Sequence, residues 1–337
     1  MRAVLVPSSG AAGVLQVEDI DRPTPGFGQV LVRVAVAGVN FMDVYQRSGA
    51  VPLPTPFVAG VEGVGTVVEV GGGVDDLSTG QRVGWLRGGQ GSYAEYAVVD
   101  AAMAVPVPDA VSDEAAAAVL MQGVTAHYLA TDTYRVQPGD TVLVHAAAGG
   151  VGQLLTQVVK LRGGRVIGTV STEEKAAAAR AAGADEVLRY EEAPDRVKQL
   201  TDGNGVAAVY DGVGGATFDA SLASLRPRGV LVVYGTASGP TPPLDIPRLN
   251  SGGSLYVTRP TVVNYTATRE ELRARTDELF GWVASGKLRI SVGGRFSLAD
   301  AARAHEELES RRTTGKLLLF PAGTEGQADP RSGGCHG

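Results

Sequence analysis

The chain of 337 residues is 44% hydrophobic and 20% charged, with a formal net charge of −6. At roughly 150 residues per domain this length implies about two domains, each able to bury its own core, and the acidic balance gives no electrostatic reason to expect nucleic acid as a partner. Gly, Pro and charged residues interrupt every apolar run before the ~18 residues that a membrane span requires.

The N-terminal MRAVLVPSSG has one basic residue and a short apolar run broken at Pro7. A signal peptide has a continuous apolar core instead, so a cytoplasmic protein is expected. Over the first hundred or so residues, short β-type runs such as Val30–Val36, Gly65–Val70 and Tyr93–Val98 are separated by Gly and Pro, an all-β pattern. From about Ser112 the segment DEAAAAVLMQGVTAHYLA reads as helix. Strands are then expected at Thr141–His145, Arg165–Thr169, Glu186–Arg189, Ala207–Tyr210, Gly229–Tyr234 and Ser254–Val257. Helices fit between them at Gly150–Leu161, Thr172–Ala181, Ala193–Thr201 and Ala216–Leu225. Such βα repeats make a doubly wound parallel sheet. After Pro260 come the helix REELRARTDELFGWVASG, a strand-like turn, a helix around Leu298–Glu309 and the strand Lys316–Phe320, which return to the first domain. The Gly-rich polar stretch from Pro321 reads as a disordered tail.

The single cysteine, Cys335, stands in that tail. It excludes a disulfide within the chain and any structural zinc site built from several cysteines.

In TVLVHAAAGGVGQLLTQVVK an apolar strand runs through Ala147, Gly149 and Gly152 straight into a helix. This is the dinucleotide fingerprint with Ala in place of the first glycine: the middle glycine lets backbone approach a pyrophosphate, the last lets helix and strand pack closely, and the helix start offers N–H groups to phosphates. With 46 glycines in the chain, a turn that binds nothing is the competing reading; the strand before, the helix after and the further βα units argue against it. The next strand, RVIGTV, ends in Ser171 and Thr172, where an NAD-binding protein would carry Asp or Glu. Hydroxyls there, with Lys175 one turn on, suit the 2′-phosphate of NADPH, while Glu173 and Glu174 partly offset the positive charge.

With these residues placed, the stretches AGVNFMDVYQRSG, AGVEGVGTVVEVGGGV, GQRVGW, HAAAGGVGQ, VYDGVGG, GSLYVTRP and AHEELESRRTTGKLLL can be taken together. Over residues 1 to about 320 the chain resembles a medium-chain dehydrogenase/reductase of the quinone oxidoreductase, or zeta-crystallin-like, branch. The resemblance implies an α/β protein in which a GroES-like β-barrel catalytic domain, 1–122 continued by 265–320, encloses a Rossmann NADPH-binding domain at 123–264. The tail is then 321–337. It also implies a homodimer and a cleft between domains that holds the nicotinamide.

In zinc-dependent relatives Cys and His stand at the positions of Asn40 and Val61; this chain lacks both, and Glu62 is a remnant of the pattern. The resemblance places Asn40, Asp43 and Tyr45 at the nicotinamide end as catalytic residues, with Thr125 and Tyr128 beside them. It assigns the loop residues Ala148, Gly149, Gly150 and Val151 to the cofactor, with Ser171, Thr172, Lys175 and Tyr190 at its adenosine 2′-phosphate. Val213, Tyr234 and Gly235 sit at strand ends beneath it, and Arg259, Pro260 and Arg311 complete the shell.

The expected reaction is hydride transfer from NADPH to a quinone or another electron-poor acceptor, with Tyr45, helped by Asn40 and a water, donating to the developing oxyanion. Of the four histidines only His127 is expected near the cleft; His145 and His305 read as packing or surface residues and His336 lies in the tail. A second reading keeps the site and reduces an activated C=C bond in an enone, alkenal or enoyl thioester. A third, outside enzymes, is an NADPH-binding structural or RNA-contacting protein, which the acidic balance disfavours.

Overall fold

The computed structural model describes residues 1–322, so the expected tail lies, from 323 on, outside the described residues. The chain forms two compact units, 1–106 with 294–312 and the chain from Leu317, and 107–293 with 313–316.

In the first unit the strands are β1 (Arg2–Val6), β2 (Gln16–Asp19), β3 (Gln29–Val39), β4 (Phe57–Val58), β5 (Glu62–Val70), β6 (Arg82–Trp85), β7 (Tyr96–Asp100) and β8 (Val105–Pro106). They form a three-stranded sheet, β2-β1-β4, and a larger antiparallel sheet in which β3 pairs with β5, with β7 and with the C-terminal strand Lys316–Phe320. Both sheets close on one core: Val4 and Val6 of β1 belong to the same buried cluster as Val30 and Val32 of β3, Trp85 of β6 and Phe296, Leu317 and Leu319 of the C-terminal return. The N-terminal region is not all β, however. Helix α1 (Phe41–Ser48) follows β3, starts from Asn40 in extended backbone and stops at Gly49, whose left-handed φ of 83° ends it at no Cβ cost.

The second unit begins with α2 (Asp113–Tyr128), capped by Ser112, whose hydroxyl accepts from Ala115 N at 3.2 Å. There follow β9 (Thr141–Val144), α3 (Gly150–Leu161), β10 (Arg165–Val170), α4 (Glu173–Ala181), β11 (Glu186–Arg189), α5 (Ala193–Leu200), β12 (Val206–Asp211), α6 (Phe218–Ala223), β13 (Leu225–Val233), α7 (Pro247–Ser251), β14 (Tyr256–Thr258), α8 (Val262–Tyr265) and α9 (Arg269–Ala284). The six strands are all parallel, in the order β11-β10-β9-β12-β13-β14. Chain progression reverses between β9 and β12, the switch point at which ligands lie beyond the carboxyl ends of such sheets.

The units divide at 106/107 and 293/294, whereas the sequence places the domain boundaries at 122/123 and 264/265. The reason is packing: α2 lies against both α3 and α9, which ties both flanking helices to the parallel sheet. The C-terminal return is β15 (Val292–Ser297), a short 3-10 turn with α10 (Ala301–Glu309), and β16 (Lys316–Phe320).

Candidate functional site

Most of the residues expected at the cofactor collect along one edge of the parallel sheet, whereas Thr125 and Tyr128 lie on α2 and Asn40, Tyr45 and Arg311 belong to the first unit. Ala148–Val151 follow β9, Ser171 and Thr172 follow β10, Tyr190 follows β11, Val213 follows β12, Tyr234 and Gly235 follow β13, and Arg259 and Pro260 follow β14. Because every strand runs the same way, all six groups emerge at its carboxyl edge.

The turn from β9 to α3 is built by backbone. Ala146 takes a left-handed φ of 51°, and Gly149 N donates to its carbonyl at 2.9 Å. Gly149 then caps α3 without a side-chain acceptor, and the first N–H groups of a helix, which have no partner within it, are the groups that suit a pyrophosphate. A Cβ on Gly152 would collide with the Ala146 carbonyl oxygen and stand 2.8 Å from Ala147 Cα, backbone that cannot yield. A Cβ on Gly150 would instead enter the Gln122 carboxamide, a residue of α2 that the sequence reading missed.

At the end of β10, Thr172 caps α4, its hydroxyl accepting from Lys175 N at 3.2 Å, and Lys175 Nζ donates to Ser171 Oγ at 3.3 Å. The ammonium is thereby held at the exposed Ser171 hydroxyl, with the exposed Thr172 next in the chain. Glu173 pairs with Arg180 at 2.9 Å, which offsets one of the two nearby carboxylates. The residues present fit a cofactor with a 2′-phosphate.

Beneath this edge runs a buried polar network. His145 lies between Thr169 Oγ1 at 2.7 Å and Ser221 Oγ at 3.0 Å, and the Tyr190 ring stacks on it with centroids 5.9 Å apart. Ser221 donates to Asp211, which also accepts from Val213 N, Gly214 N and Thr217 Oγ1 at 2.8–2.9 Å. Burial lowers the His145 pKa, with Asp211 opposing, so the ring is neutral and shapes the loop that carries Val213.

On α2, Thr125 Oγ1 donates to Met121 O at 2.7 Å, and the Tyr128 ring stacks on Tyr265 with centroids 4.4 Å apart. Burial pushes the Tyr128 phenol up to about 12. The buried Arg275 holds this pair, donating to Tyr265 O at 2.8 Å, to Asp132 at 2.7 Å and to His127 Nδ1 at 3.1 Å. His127 Nε2, 2.6 Å from Glu278, then carries the proton.

In the first unit Asn40 Nδ2 donates to Glu62 Oε2 at 2.8 Å, and the fully buried Glu62 thereby orients the amide. Asp43 is buried and accepts from Asn40 N at 2.8 Å and Val61 N at 3.1 Å, which makes it a positioning residue rather than a group that touches substrate. Tyr45 is half-buried beside Phe41, with ring centroids 6.1 Å apart. Arg311 belongs to this unit, exposed with a φ of 55°. The donors around Asn40 do not suit zinc, for its amide nitrogen faces Glu62, and among the described residues no three His, Cys, Asp or Glu converge.

A family model for the alcohol dehydrogenase GroES-like domain matches residues 26–109, and one for zinc-binding dehydrogenase matches 150–281. The chain is 46% identical over 315 residues to a quinone oxidoreductase of Pseudomonas aeruginosa, covering 93% of this chain and 97% of that one. It is 38% identical over 329 residues to a 2-haloacrylate reductase of a Burkholderia species, covering 95% and 98%. The solved structure of Escherichia coli quinone oxidoreductase complexed with NADPH superimposes with a TM-score of 0.93 at 40% identity, covering 95% of this chain and all of that one. With the same two domain types, a parallel sheet in dinucleotide-binding order and identity sustained over more than nine tenths of its length, the chain belongs to the quinone oxidoreductase family of the medium-chain dehydrogenases/reductases.

Proposed function

We propose that this protein is an NADPH-dependent, zinc-independent quinone reductase. One observation carries the reading: the carboxyl edge of its parallel sheet offers a helix start without a side-chain cap for a pyrophosphate, and a lysine bonded to the Ser171 hydroxyl for a 2′-phosphate, in a chain of quinone oxidoreductase kinship. When bound, NADPH supplies the hydride from its nicotinamide ring. The α3 start and Gly149 hold the pyrophosphate, and Ser171, Thr172 and Lys175 hold the adenosine phosphate. Tyr190, Val213, Tyr234, Gly235, Arg259 and Pro260 shape the sheet edge, with Thr125 and Tyr128 on α2 and Arg311 as a further contact. Tyr45 donates a hydrogen bond to the acceptor oxygen as negative charge develops on it, and Asn40, aimed by Glu62, assists.

A second reading, reduction of an electron-poor C=C bond, is favoured by the likeness to a 2-haloacrylate reductase. NADPH absorbance followed with a benzoquinone, a naphthoquinone and an unsaturated ketone separates the two, with NADH and a chelator as controls. Chelator-insensitive quinone turnover that prefers NADPH is expected; turnover of the ketone alone would move the protein to the alkene reductases. We also read it as a cytoplasmic homodimer. The edge strand β14, with Tyr256 61% exposed, supports the dimer, and light scattering would test it.

A further inference from the structure

The first unit holds a chain of buried polar groups that the reaction does not yet use. Arg47, 2% exposed, forms a two-pronged pair with Glu309, both bonds 2.9 Å, and its Nε donates to Gly10 O at 3.2 Å. Its Nη1 also lies 3.4 Å from His305 Nδ1. A guanidinium has only donors, so Nδ1 must present its lone pair and the ring proton sits on Nε2. His305 Nε2 is 3.2 Å from Tyr93 Oη, which it therefore meets as a donor. The Tyr93 hydroxyl, now accepting, gives its own proton to Asp43 Oδ2 at 3.2 Å. The same Asp43 carboxylate accepts from Asn40 N and Val61 N. His305 and Tyr93 are fully buried, and their rings meet edge to face with centroids 5.8 Å apart. Each bond fixes the direction of the next, so these protons have one arrangement.

We propose that His305 is a positioning residue for the reaction, acting through Tyr93 and Asp43 on Asn40 and on the start of the helix that carries Tyr45. The inference rests on the reading that Asn40 and Tyr45 engage the acceptor. Its logic is that α1 has only two turns and begins at Asn40. The carboxylate that takes the Asn40 N–H is that of Asp43, in the first turn of α1, and from outside the helix Tyr93 Oη and Val61 N fix its orientation. Buried and charge-assisted, that link is strong enough to set a side-chain position.

The test compares Tyr93→Phe, His305→Leu and His305→Gln with Asn40→Ala, Tyr45→Phe and the parent chain, using NADPH and a benzoquinone. Folded protein is quantified by NADPH binding and, with every variant in a Trp282→Phe background, by Trp85 fluorescence. Tyr93→Phe and His305→Leu should lower kcat/KM for the quinone at least about tenfold per folded enzyme, the scale of one lost buried hydrogen bond to a charged group. NADPH affinity should stay unchanged, and the double variant should be no worse than either alone, since both cut one chain. His305→Gln, which can restore an acceptor and a donor, should recover part of the loss. Thermal stability falling while kcat/KM per folded enzyme stays at the parent value would overturn the proposal and leave a purely structural role. If Asn40→Ala and Tyr45→Phe also leave turnover untouched, the reading of α1 as the acceptor site falls with it; if they impair turnover while Tyr93→Phe does not, only the role of His305 falls.

Discussion

Acidification from about pH 7.5 to about pH 5 should weaken the first unit through His305 by about 2 kcal/mol. Burial lowers the pKa of this ring from 6.5 to about 4, with the nearby Arg47 adding to the effect and Glu309 opposing it. In the unfolded chain the imidazole takes a proton as pH falls through 6.5, whereas in the folded unit it stays neutral until about 4. The stability it contributes is therefore complete above pH 6.5 and is lost progressively as pH falls toward 4. At ~1.36 kcal/mol per pH unit the full gap is worth about 3 kcal/mol, of which about two thirds is lost by about pH 5. The chain has only two tryptophans, Trp85 in the core of the first unit and Trp282 on α9, so a Trp282→Phe background makes Trp85 the reporter. Urea unfolding at both pH values, with and without His305→Gln, isolates the histidine from the carboxylates that titrate over the same range. The parent should lose about 2 kcal/mol more than the variant between the two pH values. Equal losses would show that His305 does not titrate across this window in the folded unit, and would remove the neutral tautomer on which its hydrogen bonds depend.

Lys175→Ala should raise the KM for NADPH about tenfold and leave that for NADH unchanged, since one charge-assisted contact to the 2′-phosphate is lost; an equal effect on both cofactors would place the lysine elsewhere. Gly152→Ala should destabilise the second unit by about 1–3 kcal/mol and weaken NADPH binding, because the new methyl meets backbone. Gly150→Ala meets only the Gln122 carboxamide and should be milder, with Gln122→Ala restoring it; calorimetry and NADPH titration of the three variants would show whether that order holds. Asp211→Asn turns a donor toward a cluster of donors and should cost roughly 3 kcal/mol, read as a lower denaturation midpoint. A neutral outcome would mean the network does not hold the Val213 loop.

The parallel sheet was legible because its central strands are buried on both faces. Val142–Val144 and Ala207–Tyr210 read as short apolar runs between glycines, and Thr172 caps the helix that follows β10. Helix α1 was hidden because FMDVYQRS has only two turns and mixed polarity, so the β runs around it dominate the pattern. The assignment of α2 was equally out of reach, since a periodicity shows that a helix is amphipathic or buried without naming the element it packs on. That glycine, lysine and hydroxyl positions fall at the carboxyl edge of the sheet was readable because the chain itself spaces them one strand apart. The polar networks were not: His145 meets Thr169 and Ser221, 24 and 76 residues on, and Arg47 meets His305 258 residues on, separations that no local pattern encodes.

Those long-range networks also bear on where a quinone would find its second hydrogen. Reduction to a hydroquinone consumes one proton beyond the hydride, and the buried chain from Arg47 to Asp43 is too well ordered to deliver it. Its head is a guanidinium that stays protonated in proteins. Its foot is a carboxylate already accepting from Tyr93, Asn40 and Val61. A proton moved along it could be replaced only from Arg47, so the chain transmits orientation and not charge. Asn40 has no acidic proton to give. On the proposed reading the half-buried hydroxyl of Tyr45 is the group on α1 that can both donate to the acceptor oxygen and be refilled from water. Orientation is then assigned to the buried groups of this unit and proton exchange to its wetter edge. That division leaves the buried charged contacts of this unit, Arg47 with Glu309 and Asp43 with its three donors, to hold in place the residues expected to meet the substrate.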